Sequence, residues 1–212
     1  MIINNFASND IAMTFEEIRN KVSKYTVGIA GCGGLGSNCA AMLVRSGVTK
    51  LVIADFDVIQ ESNLNRQFFF YDQIEKPKAD TLKKNLLMID PHAQIESHVI
   101  RLDREKIEQL FASCDVIVEA FDLAEYKQML IETVLDRFPE KPLVCASGLG
   151  GLENADQMRV VRNGNLIVVG DFKESVSEEN PPMAPKVTIA AALQANEVLL
   201  ILCAKLETSH DC

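Results

Sequence analysis

One glycine-rich turn constrains the fold of this 212-residue chain more than any other feature. An apolar run, Thr26 to Ala30, ends in Gly31-Cys32-Gly33-Gly34-Leu35-Gly36, and an alanine-rich stretch over 37–46 follows. This order predicts a buried strand, a tight turn and a helix. The turn has the G-x-G-x-x-G spacing, in which backbone N–H groups and the positive end of the helix dipole attract phosphate. We therefore predict a nucleotide-binding turn formed by Gly31, Gly33, Gly34 and Gly36; the alternative is a tight turn that binds nothing.

Strand and helix patterns go on alternating along the chain. Apolar runs predict strands over 50–54, 94–100, 115–120 and 142–146, and helical patterns lie over 77–88, 103–112 and 123–138. Parallel strands need crossover connections, which helices supply. The sequence therefore predicts an α/β, Rossmann-like fold, with a mainly parallel twisted sheet and helices on both faces.

The pattern changes after Gly148. Strand-like segments over 157–161 and 166–170 flank the turn signal Asn163-Gly164, which predicts a β-hairpin added to the sheet. The next segment, 172–187, is rich in proline and glutamate and predicts a mobile crossover loop. Its acidic part, Glu174 to Glu179, could fold over a substrate's extended tail, although a plain solvated connection is the favoured interpretation. Thr188 is predicted to cap a final apolar helix that packs back on the domain.

Composition and charge limit the function classes. With 48% hydrophobic residues, the chain predicts one domain over 1–212, which includes an N-terminal helical segment over 1–24. A formal net charge of -9 argues against a nucleic-acid or anionic-membrane surface. Polar residues interrupt the apolar stretch 188–206, which favours a buried helix over a membrane span. No signal-peptide pattern opens the chain, so we expect a cytoplasmic protein.

The cysteine pattern does not favour a structural metal. The six cysteines lie far apart and include no CxxC pair, whereas zinc ligands usually come in closely spaced pairs. Reduced cysteines that pack in the core are the expected arrangement.

Several polar residues follow the predicted strands. Asp55 ends the second strand, where a carboxylate can accept hydrogen bonds from ribose hydroxyls. In the loop beyond it, Arg66 has the planar fork that suits phosphate oxygens, and Asn65 could orient a phosphate or a ribose. Lys78 begins the helix after Pro77 and could meet the same anion. The glycine turn and Asp55 alone would suit NAD, FAD, S-adenosylmethionine or ATP. The two cations Arg66 and Lys78 favour a triphosphate among these ligands.

Asp122 follows the predicted fourth strand, at the edge of the sheet where ligands bind in open α/β folds. Its carboxylate could hold Mg²⁺ that bridges ATP phosphates. The alternative is the N-cap of the helix that begins near Leu123, and both roles could coexist.

These residues together resemble the ThiF/MoeB/HesA family, the bacterial relatives of the ubiquitin-activating enzymes. The resemblance runs from about Val22 to Lys205. It rests on the glycine run continued through Ser37-Asn38, on Asp55-Phe56-Asp57 followed by Ser62-Asn63-Leu64-Asn65-Arg66-Gln67, and on Lys76-Pro77-Lys78. The short length is similar to the compact ThiF-like branch.

The resemblance implies a reaction and a set of roles. Family members bind ATP and Mg²⁺, and the C-terminal Gly-Gly carboxylate of a small ubiquitin-like sulfur-carrier protein attacks the α-phosphate. By matching position, Asp55 would bind the ribose, Asn63 and Arg66 the phosphates, Lys78 the phosphates and the transition state, and Asp122 the metal. Asp57 and Asn65 are also predicted among the nucleotide-binding residues. Catalysis would rest on Arg66, Lys78 and Asp122. The family is typically a homodimer in which an N-terminal arginine reaches the partner's ATP, and Arg19 is the arginine in that region here.

The sequence departs from the family pattern in three ways that limit the predicted reaction. Leu123 stands where many relatives have asparagine after the metal-binding aspartate, the zinc cysteines of longer relatives are missing, and no cysteine lies between Cys145 and Cys203. Adenylation is therefore better supported than sulfur transfer. The resemblance implies an adenylyltransferase that acts on a ThiS-like carrier of thiamin biosynthesis. A catalytically idle nucleotide-binding scaffold and an NAD-dependent oxidoreductase are the alternatives.

Overall fold

A computed structural model of the chain describes residues 13–205. The elements in order are α1 (Phe15–Val22), β1 (Thr26–Ala30), α2 (Gly34–Arg45), β2 (Lys50–Asp55), α3 (Lys78–Ile89), β3 (Gln94–Val99), α4 (Arg104–Phe111), β4 (Val116–Glu119), α5 (Ala124–Arg137), β5 (Leu143–Ala146), β6 (Arg159–Asn163), β7 (Leu166–Gly170) and α6 (Ala184–Ala204). Short 3-10 turns lie at Glu61–Asn63, Tyr71–Gln73 and Ala155–Gln157. The N-terminal part of the predicted 1–24 segment, residues 1–12, lies outside the described residues.

The strands form one seven-stranded sheet in the described chain, in the order β3-β2-β1-β4-β5-β7-β6. Every neighbouring pair is parallel except β6 and β7, which form the predicted hairpin at one edge. The predicted Rossmann-like α/β fold is confirmed. Ala30 at the end of β1 pairs with Ala54 of β2 and with Glu119 of β4, so three carboxyl ends meet at one edge of the sheet.

Apolar side chains cover both faces of this sheet. One core cluster joins β1 and β2 to α2, α3 and α6, and includes the fully buried Ile29 and Leu43. The other joins β4 and β5 to α4 and α5, and includes the fully buried Phe111 and Leu130. With both faces packed, ligand chemistry is left to the edges where the strands end.

The final helix begins earlier than the sequence pattern predicts. Helix α6 begins at Ala184 with Met183 as its N-cap, so Thr188 lies inside the helix and the predicted cap is wrong. Pro185 lies in the first turn of the helix, where its missing N–H would have no partner within the helix in any case. The loop predicted over 172–187 therefore includes the first residues of α6, and that part of the prediction is wrong. The predicted crossover loop therefore keeps only residues up to 183; its mobility stays a prediction.

Helix α6 is long and apolar enough to cross a membrane by length and composition. Core helices pass the same test, and here α6 packs on α2, β5 and β7 with Val198 and Leu202 fully buried. The buried helix predicted for this stretch is confirmed.

Candidate functional site

A cavity of about 490 Å³ opens where β1, β2 and β4 end. Its wall includes the glycine turn, the residues that follow β2, β3, β4 and β5, and the segment at Ser175 and Val176. Among the predicted site residues, Gly31, Gly33, Gly34, Asp55, Asp57, Arg66, Lys78 and Asp122 line this cavity. The fold thus brings together residues that lie up to 91 positions apart in sequence.

Two glycines of the turn are required by close backbone approach. Gly31 has φ of 99°, and a Cβ there would lie 2.7 Å from the carbonyl oxygen of Ala120. A Cβ on Gly36 would lie 1.9 Å from the carbonyl oxygen of Gly31. Gly36 therefore packs α2 against the turn and does not line the cavity, whereas Gly34 begins α2 at the cavity wall.

Asp55 is held in place by two backbone amides. Its Oδ2 accepts a hydrogen bond from the Cys32 N–H at 2.6 Å, and its Oδ1 accepts one from the Asp57 N–H at 2.8 Å. Burial raises the pKa of Asp55, and these two N–H groups oppose that shift. Each carboxylate oxygen has a further lone pair, so Asp55 can still accept hydrogen bonds from ribose hydroxyls at the cavity wall.

Lys78 begins α3 and is almost fully buried. Its Nζ lies 2.8 Å from Oδ2 of Asp57, whose side chain is 47% exposed. The ammonium group therefore faces the cavity with one half-solvated acidic partner. A phosphate in the cavity would compete with Asp57 for this cation.

Arg66 lines the cavity and is half-buried. Its Nη1 donates to the Ser62 carbonyl at 3.2 Å and to Oδ1 of Asn65 at 2.7 Å. Burial lowers the pKa of Arg66, and the charge of Asp122 opposes that shift. Among residues 13–205 this guanidinium has no salt bridge, so it is available to an anion.

The two asparagines of the same loop lie away from the cavity wall. Oδ1 of Asn63 accepts the Gln60 N–H at 3.0 Å and closes a 3-10 turn. Asn65 is exposed, and its Nδ2 donates to the Pro182 carbonyl at 3.4 Å while its oxygen holds Arg66. The structure thus gives Asn63 and Asn65 local contacts that shape the loop, and their contact with phosphate stays a prediction.

Asp122 is exposed at the cavity rim. Helix α5 begins at Ala124 with Leu123 as its N-cap and without a side-chain cap, so Asp122 is not the cap that the alternative interpretation requires. Its carboxylate accepts no hydrogen bond from the described part of the chain. One free hard oxygen ligand fits Mg²⁺, which takes one or two carboxylates, phosphate oxygens and several waters.

The sequence analysis assigned no role to three further residues of the cavity wall, Phe56, Arg101 and Lys127. The Arg101 guanidinium lies 4.3 Å from the ring centroid of Phe56, and both residues line the cavity. Lys127 on α5 forms an ion pair with the fully buried Glu119 and donates to the Ala146 carbonyl at 2.9 Å. Arg101 lies two residues after the end of β3. Because parallel strands end at one edge of the sheet, the sequence could have indicated that Arg101 lies near the nucleotide residues.

Arg19, in contrast, lies far from this cavity. It packs against Gly47, beyond the C-terminal end of α2, whereas the cavity lies at the N-terminal end. Within one chain it does not reach the nucleotide residues, and its contact with a partner's site stays a prediction.

A second, more open hollow of about 510 Å³ lies at the opposite edge, before β4 and β5. Its lysines are already engaged: Lys141 donates to the Phe111, Ala112 and Cys114 carbonyls, and Lys205 pairs with Asp115 at 2.8 Å. Within residues 13–205 this hollow offers a nucleotide neither a helix N-terminus nor an unpaired cation, so the chemistry favours the first cavity.

The described cysteines are buried packing residues, as the sequence predicts. They are Cys32, Cys39, Cys114, Cys145 and Cys203, and none forms a disulfide within residues 13–205. Burial raises the pKa of Cys39 to about 12, which keeps that thiol protonated and unreactive. Cys212 lies outside the described residues.

The comparison with protein families assigns this architecture. The sequence model of the ThiF family matches residues 7–211, nearly the whole chain. The chain belongs to the ThiF family. This confirms the family resemblance carried by the glycine turn, the Asp55 triplet and the Arg66 loop.

Curated ThiF-like relatives align with parts of the chain. Molybdopterin-synthase adenylyltransferase of Haemophilus influenzae is 35% identical over 103 residues, 48% of this chain and 42% of that protein. The tRNA threonylcarbamoyladenosine dehydratase of Bacillus subtilis is 29% identical over 160 residues, 74% of this chain and 61% of that protein. Ubiquitin-like modifier-activating enzyme 5 of Drosophila persimilis is 40% identical over 89 residues, 42% of this chain and 22% of that protein. The matched segment thus spans between about a fifth and three fifths of these relatives.

Solved structures share the fold. The E. coli tRNA N6-threonylcarbamoyladenosine dehydratase TcdA in complex with AMP has a TM-score of 0.80 at 19% identity, covering 89% of this chain and 90% of that chain. E. coli MccB with AMPCPP and MccA has a TM-score of 0.69 at 20% identity, covering 88% of this chain and 58% of that chain. These likenesses show that the ThiF-type fold extends over nearly the whole chain.

Proposed function

We propose that this protein binds ATP with Mg²⁺ and adenylates a carboxylate, namely the C-terminal Gly-Gly carboxylate of a small ubiquitin-like sulfur-carrier protein. One observation carries the proposal: the glycine turn, Asp55 and the cations Arg66 and Lys78 line a single cavity. A helix N-terminus and two cations together attract the negative charge of a polyphosphate. Neither cation would make a favourable contact with a nicotinamide ring.

The relatives support the same class of reaction. One is named an adenylyltransferase, TcdA was solved with AMP and with ATP, and MccB was solved with AMPCPP. Their named substrates differ, so the carrier assignment rests on the family resemblance. Within it we propose a ThiS-like carrier of thiamin biosynthesis, the carrier that the resemblance to the compact ThiF-like branch implies.

The chemistry asks the protein for positioning and charge. The carrier's carboxylate is already ionised at neutral pH, so its attack on the α-phosphate needs no general base. The main obstacle is repulsion between two anions. Arg66, Lys78 and the N–H groups at the start of α2 would stabilise the charge that develops on the phosphates and on the departing pyrophosphate.

The metal would bind at the rim of the cavity. Asp122 would hold Mg²⁺ through its carboxylate, the hard oxygen ligand that this ion prefers. Bound there, Mg²⁺ supplies positive charge to the phosphate oxygens. Lys127, which ties α5 to Glu119 and to the Ala146 carbonyl, holds the start of the helix that follows Asp122.

The assembly and location complete the proposal. We propose a cytoplasmic homodimer, consistent with exposed apolar residues on α6 such as Ile189 and Leu200. Sedimentation of the purified chain as a dimer would support this part, and a stable monomer at micromolar concentration would contradict it.

ATP–pyrophosphate exchange tests the proposed reaction. We expect exchange when ATP, Mg²⁺ and a carrier ending in Gly-Gly are present, and none with the same carrier lacking those two residues. ATP binding without exchange for any carrier would favour the idle scaffold. Tight NAD binding without ATP binding would favour the oxidoreductase.

A further inference from the structure

Gln67 is a buried polar residue that none of the roles above uses. It follows Arg66, lines the cavity and is only 9% exposed. Its backbone is fixed: the N–H donates to the Asn63 carbonyl at 2.9 Å, and the carbonyl accepts the Phe69 N–H at 2.8 Å. The side chain therefore leaves a rigid support and reaches the cavity wall.

The side-chain oxygen of Gln67 is not satisfied by the described part of the chain. This Oε1 is buried and has no hydrogen-bond partner among residues 13–205. The neighbouring buried amide of Asn85 differs, because its Nδ2 donates to the Phe68 carbonyl at 3.0 Å and its Oδ1 accepts from Gln73 at 2.6 Å. Two buried side-chain amide oxygens, those of Gln67 and Gln194, have no partner among residues 13–205. Of the two residues, Gln67 lines the cavity and Gln194 does not, so the unsatisfied amide of Gln67 points to a partner that binds in the cavity.

The other end of the amide faces the phosphate-binding turn. Nε2 of Gln67 lies 3.8 Å from the position that a Cβ on Gly33 would occupy. Apart from the residues next to Gly33, no other atom of residues 13–205 lies within 4 Å of that position. Gly33 is the N-cap of α2, so its surroundings combine free space with a helix N-terminus. An anion placed there would meet both the helix amides and an amide donor from Gln67.

We infer that Gln67 binds the nucleotide: its Nε2 donates a hydrogen bond to a phosphate oxygen held at Gly33. Oε1 is then free to accept from a hydroxyl or a water that enters with the nucleotide. This inference rests on the proposed function, because it requires a polyphosphate in the cavity. Gln67 supplies a neutral, oriented donor next to the charged donor of Arg66, and thereby fixes the phosphate chain in one position.

Two substitutions separate this role from a structural one. Gln67→Met keeps the length and removes the polar atoms, and Gln67→Glu keeps the shape and adds a negative charge. In the nucleotide-free protein, Gln67→Met should melt at the same temperature as the wild type or higher, because an unsatisfied buried amide is replaced by an apolar group. Its affinity for ATP should fall about tenfold, the usual cost of a hydrogen bond to a charged group. A merely structural residue would lose stability and affinity together.

The glutamate variant tests the sign of the charge. Gln67→Glu should weaken ATP binding more than Gln67→Met does, because a carboxylate would face the phosphates. Gln94→Glu is the matched control, since Gln94 is exposed at the start of β3, at the opposite edge of the sheet. Calorimetric titration with Mg²⁺-ATP and melting curves on all four proteins measure both quantities.

The outcomes are distinct. Normal ATP affinity in both Gln67 variants, or a melting temperature of Gln67→Met that falls along with its affinity, would overturn the inference and leave the proposed function standing. Failure of the wild type and of Gln94→Glu to bind ATP would overturn both.

Discussion

Replacing Arg66 by alanine removes a guanidinium that lines the cavity and forms no salt bridge among the described residues. The stability cost can be worked from its contacts. Arg66 makes two hydrogen bonds, to the Ser62 carbonyl and to the Asn65 amide, and the side chain is partly solvated. Such bonds contribute together about 1 kcal/mol. For a chain of this length, about 1 kcal/mol lowers the melting temperature by only 2–4 °C.

The expected loss of activity is larger. Removing one donor that stabilises developing charge costs about a hundredfold or more in rate. That corresponds to about 3 kcal/mol of transition-state stabilisation. Arg66→Lys should recover only part of the rate, because an ammonium supplies charge without the bidentate fork.

Exchange assays and melting curves decide between the two roles. Arg45→Ala is the matched control, since Arg45 is exposed in the last turn of α2, away from the cavity. The reasoning fails if Arg66→Ala retains normal exchange. It also fails if the melting temperature collapses and the activity falls in proportion, which would make Arg66 a structural residue.

Three further substitutions test other parts of the site. Asp122→Asn should reduce exchange at least about a hundredfold, because a metal ligand is lost. The melting temperature should not change, because no helix cap is disturbed. Normal exchange by this variant would remove Asp122 from the site. Lys78→Met should lower exchange by roughly a hundredfold. It should change the free energy of unfolding by less than about 1 kcal/mol, since its partner Asp57 is half-exposed. Unfolding in denaturant measures that free energy, and a larger loss of stability would make the Lys78–Asp57 pair structural. Gly36→Ala should destabilise the fold by about 1–3 kcal/mol, because its Cβ would meet the Gly31 carbonyl; a wild-type denaturation midpoint would contradict the packing role.

The fold could be predicted from sequence where local signals and packing agree. The run from Thr26 to Arg45 joins an apolar strand, a glycine turn and an alanine-rich helix, and each part favours the same structure. The α/β alternation then restricts the sheet to parallel pairing with crossover helices. Helix α6 differs, because Pro185 is a loop signal in sequence and a first-turn residue in the structure.

The site was predictable only in part. Asp55 and Asp122 follow strands directly, so their position at the sheet edge follows from the topology alone. The stacking of Arg101 on Phe56, the pairing of Lys127 with Glu119 and the unsatisfied amide of Gln67 depend on side-chain packing between distant segments. No spacing in the sequence encodes those contacts. The same holds for Asn63, whose amide closes a local turn.

Direct detection of the adenylated carrier tests the central claim. The protein would be incubated with Mg²⁺-ATP and a carrier ending in Gly-Gly, quenched in acid, and the carrier analysed by mass spectrometry. We expect AMP attached to the carrier's C-terminal carboxylate, formed by the wild-type protein and absent with Arg66→Ala. A carrier that remains unmodified while the wild-type protein binds ATP would contradict the claim.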